Sequence, residues 1–356
     1  LTLLTYPFVY LLAAARFRQI PASLEDAARI HGGGPLALVR QVLFPLAGPS
    51  VVAGALVVFL YVASDFGAVV LLRYDTITLT VFSNRLIDPD LALAMALVLA
   101  LLALAAVAAE RAISGRSRAD TRRESSPRRV PLGRWRLPAL AFVVALVGLA
   151  LAAPLSVLGY WAFRGLVEGT DRPGAIVSDP ASLVGPTLST SLVSIAAAAA
   201  AVLVVLPLAT LAARRPGPVS GVAGAVVLSG FAIPGLVLAL ALVFWTLNSS
   251  VLVSIYQTLP LLVAAYVIQF AGLALGTSRV AVGSVPRSLV EASKSLGMGR
   301  GERALRVELP LMLPGLLAGA GLVLLSTMKE LPITLLLAPP GFSTLATKVW
   351  GAATDA

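Results

Sequence analysis

The sequence contains no cysteine and a single histidine, His31. Disulfides, thiolate metal sites and cysteine nucleophiles are therefore excluded, and so is a metal site built from several imidazoles. Lysine occurs only at Lys294, Lys329 and Lys348, and none of them closes a Gly-x4-Gly-Lys-Ser/Thr loop. The chain thus holds no phosphate cradle of the ATPase kind. Gly32-Gly33-Gly34 follows no strand and reads as a turn rather than a nucleotide fingerprint. No charged stretch precedes a small-residue cleavage site, so no signal peptide is expected. Charge is scarce as well: 12% of residues are charged, against roughly a quarter in an ordinary soluble domain. With no catalytic constellation in view, any chemistry that drives this protein is expected from a partner.

What the chain has in abundance is apolar length. Hydrophobic residues make up 58%, mean hydropathy is +0.93, and the apolar blocks reach the ~20 residues that a helical span needs. The expected fold class is all-α, a polytopic membrane protein. Candidate spans cover Leu1–Ala15 (the tail of a span), Ala47–Leu72, Leu91–Ala109, Pro138–Tyr160, Leu183–Ala213, Gly221–Leu247, Ile255–Leu275 and Leu311–Ala338. Between Glu110 and Leu137 lies a polar stretch with nine arginines, from Arg111 to Arg136, expected to be a solvated connector that touches anionic lipid. The net charge of +10 sits in short segments between apolar blocks, which is the signature of membrane topology rather than of nucleic-acid binding. Counting arginine and lysine places the connector, the turn at Arg214-Arg215-Pro216-Gly217-Pro218, and the loops around 16–44 and 278–310 in the cytoplasm. Segments 73–90, 161–182, 248–254 and 339–343 then face the periplasm, and the assignments alternate along the whole chain. The run Ala196–Ala201 is expected to let helices pack closely.

Two segments superimpose without a gap at an offset of 265 residues, Asp26 falling on Glu291. The first runs from Pro21 through Asp26-Ala27-Ala28, Gly32 and Gly34 to Val42, Pro45, Pro49 and Gly54. The second runs from Pro286 through Glu291-Ala292-Ser293, Gly297 and Gly299 to Val307, Pro310, Pro314 and Gly319. A repeat of this length marks a duplicated domain, an arrangement common in transporters. The loop has a physical logic. Small residues Ala27, Ala28, Ala292 and Ser293 leave a low helical surface that a partner's groove can receive. Gly32 and Gly297 permit a turn through positive φ, an acidic residue suits a helix start, and Pro45 and Pro310 are read as the beginnings of the next spans.

This doubled pattern resembles the EAA loop of ABC importer permeases, Glu-Ala-Ala-x3-Gly-x9-Ile-x-Leu-Pro, with Asp26 in place of the glutamate in one copy and Ser293 in place of the second alanine in the other. The resemblance implies an ABC importer permease fold with duplicated six-helix halves in a bacterial inner membrane. It implies partners too: an ATPase subunit dimer docked on the two loops, a periplasmic substrate-binding protein, and the lipid bilayer, but no nucleic acid. No tightly bound cofactor is implied, ATP being used by the partner subunit. Residues 1–112 are then the C-terminal part of the first half, 113–137 the linker, and 138–356 the second half without its last span. On this register residue 1 falls opposite residue 266, so the chain is expected to be truncated at both ends of a protein of ~12 spans.

Two stretches bear on the cargo. Met328-Lys329-Glu330-Leu331-Pro332 with Gly341–Trp350, and Ser64-Asp65-Phe66-Gly67-Ala68 with Arg73–Thr76, resemble the fused permeases of ferric-iron importers more than those for thiamine, polyamine or sulfate. Asp65 falls opposite Glu330, each beside a residue that can break a helix, Gly67 or Pro332. Carboxylates at membrane depth are costly and usually face a cavity or a partner, and a hard trivalent cation prefers oxygen ligands. One reading has Asp65 and Glu330 flank a cation path as metal-contacting groups, with Lys329 neutralising Glu330 when no cation is present. The other has them at the interface, snorkelling or capping a short re-entrant helix. Tyr61, Tyr74 and Asp75 are explained by an aromatic belt and a surface loop. Import of thiamine, a polyamine or another small solute remains an alternative cargo, and an ion-coupled secondary transporter an alternative class, although the latter gives no reason for paired loops.

Overall fold

The computed structural model describes residues 1–18, 20, 26, 30, 34–72, 74–117, 132–167 and 180–354. Regular structure among these residues is helical throughout. Six helices are long and apolar enough to cross a membrane: Leu36–Ser64, Pro89–Glu110, Gly133–Gly165, Ala181–Arg214, Leu259–Gly283 and Arg300–Met328. A seventh span is a broken pair, bent by 104° between its two helices. The chain divides into two compact units.

The first unit comprises Leu1–Ala63 and Ala105–Ser178. It contains α1 (Thr2–Phe17), α2 (Pro35–Leu38), most of α3 (Phe44–Ser64), the end of α6 (Pro89–Ser117), α7 (Arg136–Val147) and α8 (Ala153–Val167). Helix α1 packs on α3 at Gly54, where a Cβ would stand 2.8 Å from the Val9 Cα. Such close approach is what a small residue permits between helices in lipid. The Phe8 and Tyr61 rings meet at 5.8 Å, and the Arg16 Nε donates to the Leu46 carbonyl at 3.1 Å.

The second unit comprises Ser64–Leu104 and Asp179–Ala356. From the first half of the chain it takes α4 (Gly67–Leu71), α5 (Ile77–Asn84) and Pro89–Leu104 of α6. The rest is α9 (Val184–Arg214), α10 (Pro218–Ala232), α11 (Gly235–Leu247), α12 (Leu259–Gly283), α13 (Arg287–Ser295), α14 (Arg300–Arg303), α15 (Leu309–Met328), α16 (Pro332–Leu337) and α17 (Leu345–Thr354). Its core is the packing of α9, α12 and α15. Ala197, Ala198, Ala201 and Ala209 of α9 are buried against Leu262, Ala265, Ala274 and Leu275 of α12 and Leu316 and Val323 of α15. The alanine run does bring helices together, on one face only. Gly315 and Gly319, one turn apart on α15, meet Ala281 and Thr277 of α12, and a Cβ at Gly315 would lie 2.6 Å from the Ala281 Cβ.

The duplication is visible in the backbone. The sequence of short helix, π turn, long helix, break and short helix occurs at Pro35–Leu38, Val39–Leu43, α3 and α4, and recurs at Arg300–Arg303, Ala304–Glu308, α15 and α16. Each of these elements starts at the offset that relates Asp26 to Glu291. Gly54 against Val9 repeats as Gly319 against Ala274.

Several expected spans change in form. Ala47–Leu72 and Leu311–Ala338 are each interrupted, at 65–66 and 329–331, and Gly221–Leu247 is the bent pair α10–α11. Helix α6 continues to Ser117, into the stretch read as linker, and residues 118–131 of that stretch lie outside the described residues. Pro45 and Pro310 do not begin their spans: the helix passes through each from the preceding loop. The reason is local. The three described π turns, Val39–Leu43, Gly148–Ala152 and Ala304–Glu308, each end two residues before a proline: Pro45, Pro154 and Pro310. A proline ring collides with the carbonyl four residues back, and the wider π turn opens the helix there. A proline that would break a regular helix is carried inside it.

Candidate functional site

The second EAA-like loop is fully described. Pro286, extended at φ −62° and ψ 132°, precedes α13. The helix stops at Gly297, whose φ of +80° lies in the left-handed region. There the Met298 N–H donates to the Ser293 carbonyl at 3.1 Å and the Gly297 N–H to the Lys294 carbonyl at 3.0 Å. These are the paired hydrogen bonds of a Schellman stop, which glycine favours because it has no Cβ to strain. Ser293 is buried, and its hydroxyl donates to the Val290 carbonyl at 2.8 Å. Glu291 and Ala292 are exposed, with Leu289 and Leu296 on the outward side of the helix. In the first loop Asp26 is exposed and helical and Pro45 lies on α3. Ala27, Ala28 and Gly32 lie outside the described residues.

Behind the second loop sits an ion-pair cluster that the sequence reading passes over. The Glu308 carboxylate receives Arg214 at 2.7 Å on Oε2 and Arg303 Nε at 3.1 Å on Oε1. Glu308 is buried, so both its oxygens are held by charge-assisted hydrogen bonds where solvent screening is weak. The Arg214 side chain is 41% exposed, so water screens its half of the cluster, and Arg303 still faces the carboxylate when Arg214 is removed. The signal in the sequence was a carboxylate at the one variable position between Val307 and Leu309-Pro310.

The second constellation forms at the helix breaks. Asp65 Oδ1 accepts the Ala68 N–H at 3.1 Å, and Glu330 Oε1 accepts the Ile333 N–H at 3.4 Å. Each carboxylate therefore caps the N-terminus of the short helix that follows it, α4 or α16, where the helix dipole favours a negative charge. Glu330 also faces a second broken helix: a Cβ on Gly235, the first residue of α11, would be 2.6 Å from its Oε1. Two helix starts thus converge on one half-buried carboxylate. Around it, the Thr334 hydroxyl donates to the Glu330 carbonyl at 2.8 Å and shares a 2.6 Å hydrogen bond with the buried Tyr266 hydroxyl. Since the one Thr334 proton is engaged on Glu330, Tyr266 is the donor in that pair. One turn along α12, Gln269 Nε2 donates to the Ile233 carbonyl at 2.8 Å, holding the break between α10 and α11. Tyr266, Gln269 and Thr334 were not singled out from sequence, and the isolated amide of Gln269 in an apolar run was the available signal.

The two breaks that carry Asp65 and Glu330 lie side by side. The Leu331 side chain lies 3.7 Å from the place of a Cβ on Gly67. Phe66, buried beside Asp65, stacks at 4.8 Å on Phe82 and at 5.2 Å on Trp350 of α17. Lys329, next to Glu330 in sequence, is exposed within the break. No group of three or more His, Cys, Asp or Glu side chains placed to hold a metal ion occurs among the described residues.

Residues 205–355 match the family described as binding-protein-dependent transport system inner membrane component. The chain is 26% identical over 363 residues to the Fe(3+)-transport system permease protein FbpB 2 of Haemophilus influenzae, covering 100% of this chain and 70% of that protein. It is 26% identical over 359 residues to the probable ABC transporter permease protein y4fN of Sinorhizobium fredii, covering 94% of this chain and 62% of that one. A stretch of 96 residues is 32% identical to the putative 2-aminoethylphosphonate transport system permease protein PhnU of Salmonella typhimurium, covering 26% of this chain and 34% of that protein.

Proposed function

We propose that the chain is the translocation subunit of an ATP-driven importer of ferric iron, a reading supported by its apolar spans and by the match of residues 205–355 to the binding-protein-dependent transport system inner membrane component family. A periplasmic binding protein delivers the cargo. A separate ATPase dimer docks on the two EAA-like loops, one through Asp26, Ala27, Ala28 and Gly32, the other through Glu291, Ala292 and Gly297, while the buried Ser293, expected on that surface, instead faces the permease. Closure of that dimer drives alternating access of the permease. No resident cofactor takes part in this subunit, and ATP is consumed by the partner.

The observation that carries the cargo reading is the pair of carboxylates at the two helix breaks. Asp65 and Glu330 come one from each half of the duplication, and both lie where an apolar helix is interrupted. Interrupted helices facing one another are where transporters place their ion and solute sites. One oxygen of each carboxylate caps a helix, and the charge remains available to a hard cation passing between them. Lys329 beside Glu330 offsets that charge between cargoes. The same charges disfavour the phosphonate group of 2-aminoethylphosphonate, although four relatives are named for that substrate.

The test is uptake by the full-length protein reconstituted with its ATPase and binding protein. Ferric iron, thiamine, spermidine and 2-aminoethylphosphonate are offered in parallel with and without ATP. ATP-dependent iron uptake is the expected result. ATP-dependent uptake of another solute alone would sink the iron reading, and uptake independent of ATP would sink the importer reading.

A further inference from the structure

We propose that Glu308 is a positioning residue for energy coupling, and that its ion pair with Arg214 ties the second loop to the core helix α9. The premise is the reading of α13 as the docking element for the ATPase. Three observations carry the inference. Arg214 is the last residue of α9, whose alanine face is packed against α12 and α15 in the centre of its unit. Glu308 closes the π turn Ala304–Glu308, which α13 touches. The 2.7 Å contact between Arg214 and Glu308 is therefore a direct link from the loop to α9, while the 3.1 Å contact with Arg303 holds the carboxylate within the loop itself.

An ion pair with one buried partner and a fixed hydrogen-bond direction resists both sliding and separation, whereas an apolar contact lets two helices slip. A push on α13 is thus passed through the π turn to α9 rather than absorbed between them. At the position matching Glu308 the first copy has Leu43, so this carboxylate is not repeated there. The two loops, alike in pattern, differ in this residue.

The test is the number of solute molecules moved per ATP hydrolysed by the complete reconstituted transporter. Arg214→Ala is expected to lower that ratio by at least about fivefold, the small end of measured site-to-site couplings, and Arg214→Lys to keep it within about twofold. Arg214→Gln, which keeps the bulk and a hydrogen-bond donor, provides the same comparison if the alanine variant accumulates poorly. Arg306→Ala is the control: Arg306 pairs at 2.8 Å with Glu302 in the same loop, exposed and not linked to α9, and its loss is expected to leave the ratio unchanged. An unchanged ratio in Arg214→Ala and Arg214→Gln overturns the role of Glu308. Failure of the underlying premise shows differently: Ala292→Arg would then leave both ATPase association and uptake intact, whatever happens at Arg214.

Discussion

At Glu330 one side chain performs two tasks that substitution can separate. The carboxylate caps α16 through the Ile333 N–H and carries a negative charge between two helix starts. Glu330→Gln keeps an oxygen for the cap and removes the charge, and Asp65→Asn does the same for the Ala68 N–H. If the charge serves the cargo, each variant accumulates normally and loses iron uptake on the order of tenfold, the rate equivalent of about 1.4 kcal/mol. Full uptake in both would reduce these residues to helix caps. Gly235 tests the same point from the opposite side. Its backbone needs no positive φ, so alanine suits the start of α11, but the new methyl would stand 2.6 Å from Glu330 Oε1 and 3.4 Å from Ile333 Cγ1. Gly235→Ala is expected to displace the carboxylate and lower the initial uptake rate, with protein levels in the membrane unchanged.

The coupling helix α13 depends on how it stops. Gly297 at φ +80° lets the chain reverse toward α14, its N–H donating to the Lys294 carbonyl and that of Met298 to the Ser293 carbonyl. Gly297→Ala forces a Cβ into the left-handed region and is expected to cost about 1–2 kcal/mol locally. Hydrogen exchange of the α13 amides is expected to quicken, while the core amides of α12 stay protected. Much at this scale was legible in the sequence. Gly297 announced its turn, and Gly67 and Pro332 announced the two breaks, because residues with special backbone freedom or constraint leave a local mark. The bend between α10 and α11 left a weaker one. Pro234 lies in a run that is apolar from end to end, and a proline there suits either a kink or a new helix start. The tie that holds the break comes from Gln269, thirty-six positions after Ile233, and no local pattern encodes it. Pro45 and Pro310 misled for a related reason: the π turn that accommodates each has no residue signature of its own.

For the whole molecule, the duplicated loops raise the question of whether the two inputs count equally. Their patterns match from Asp26 and Glu291 to Pro45 and Pro310, which on its own argues for equivalence. The attachments do not match, since Glu308 binds Arg214 and Arg303 where the first copy has Leu43. Charge reversal at the loop helices distinguishes the two cases. Asp26 and Glu291 are both exposed, and arginine is a good helix former, so Asp26→Arg and Glu291→Arg change the docking surface without unfolding it. Equivalent loops predict equal losses of ATP-driven uptake in the two variants. The ion pairs behind α13 predict that Glu291→Arg is the more damaging, because it removes the input that is mechanically tied to α9. Arg214→Lys preserves that ordering and Arg214→Ala abolishes it, since the ion pair that sets Glu291→Arg apart is then gone.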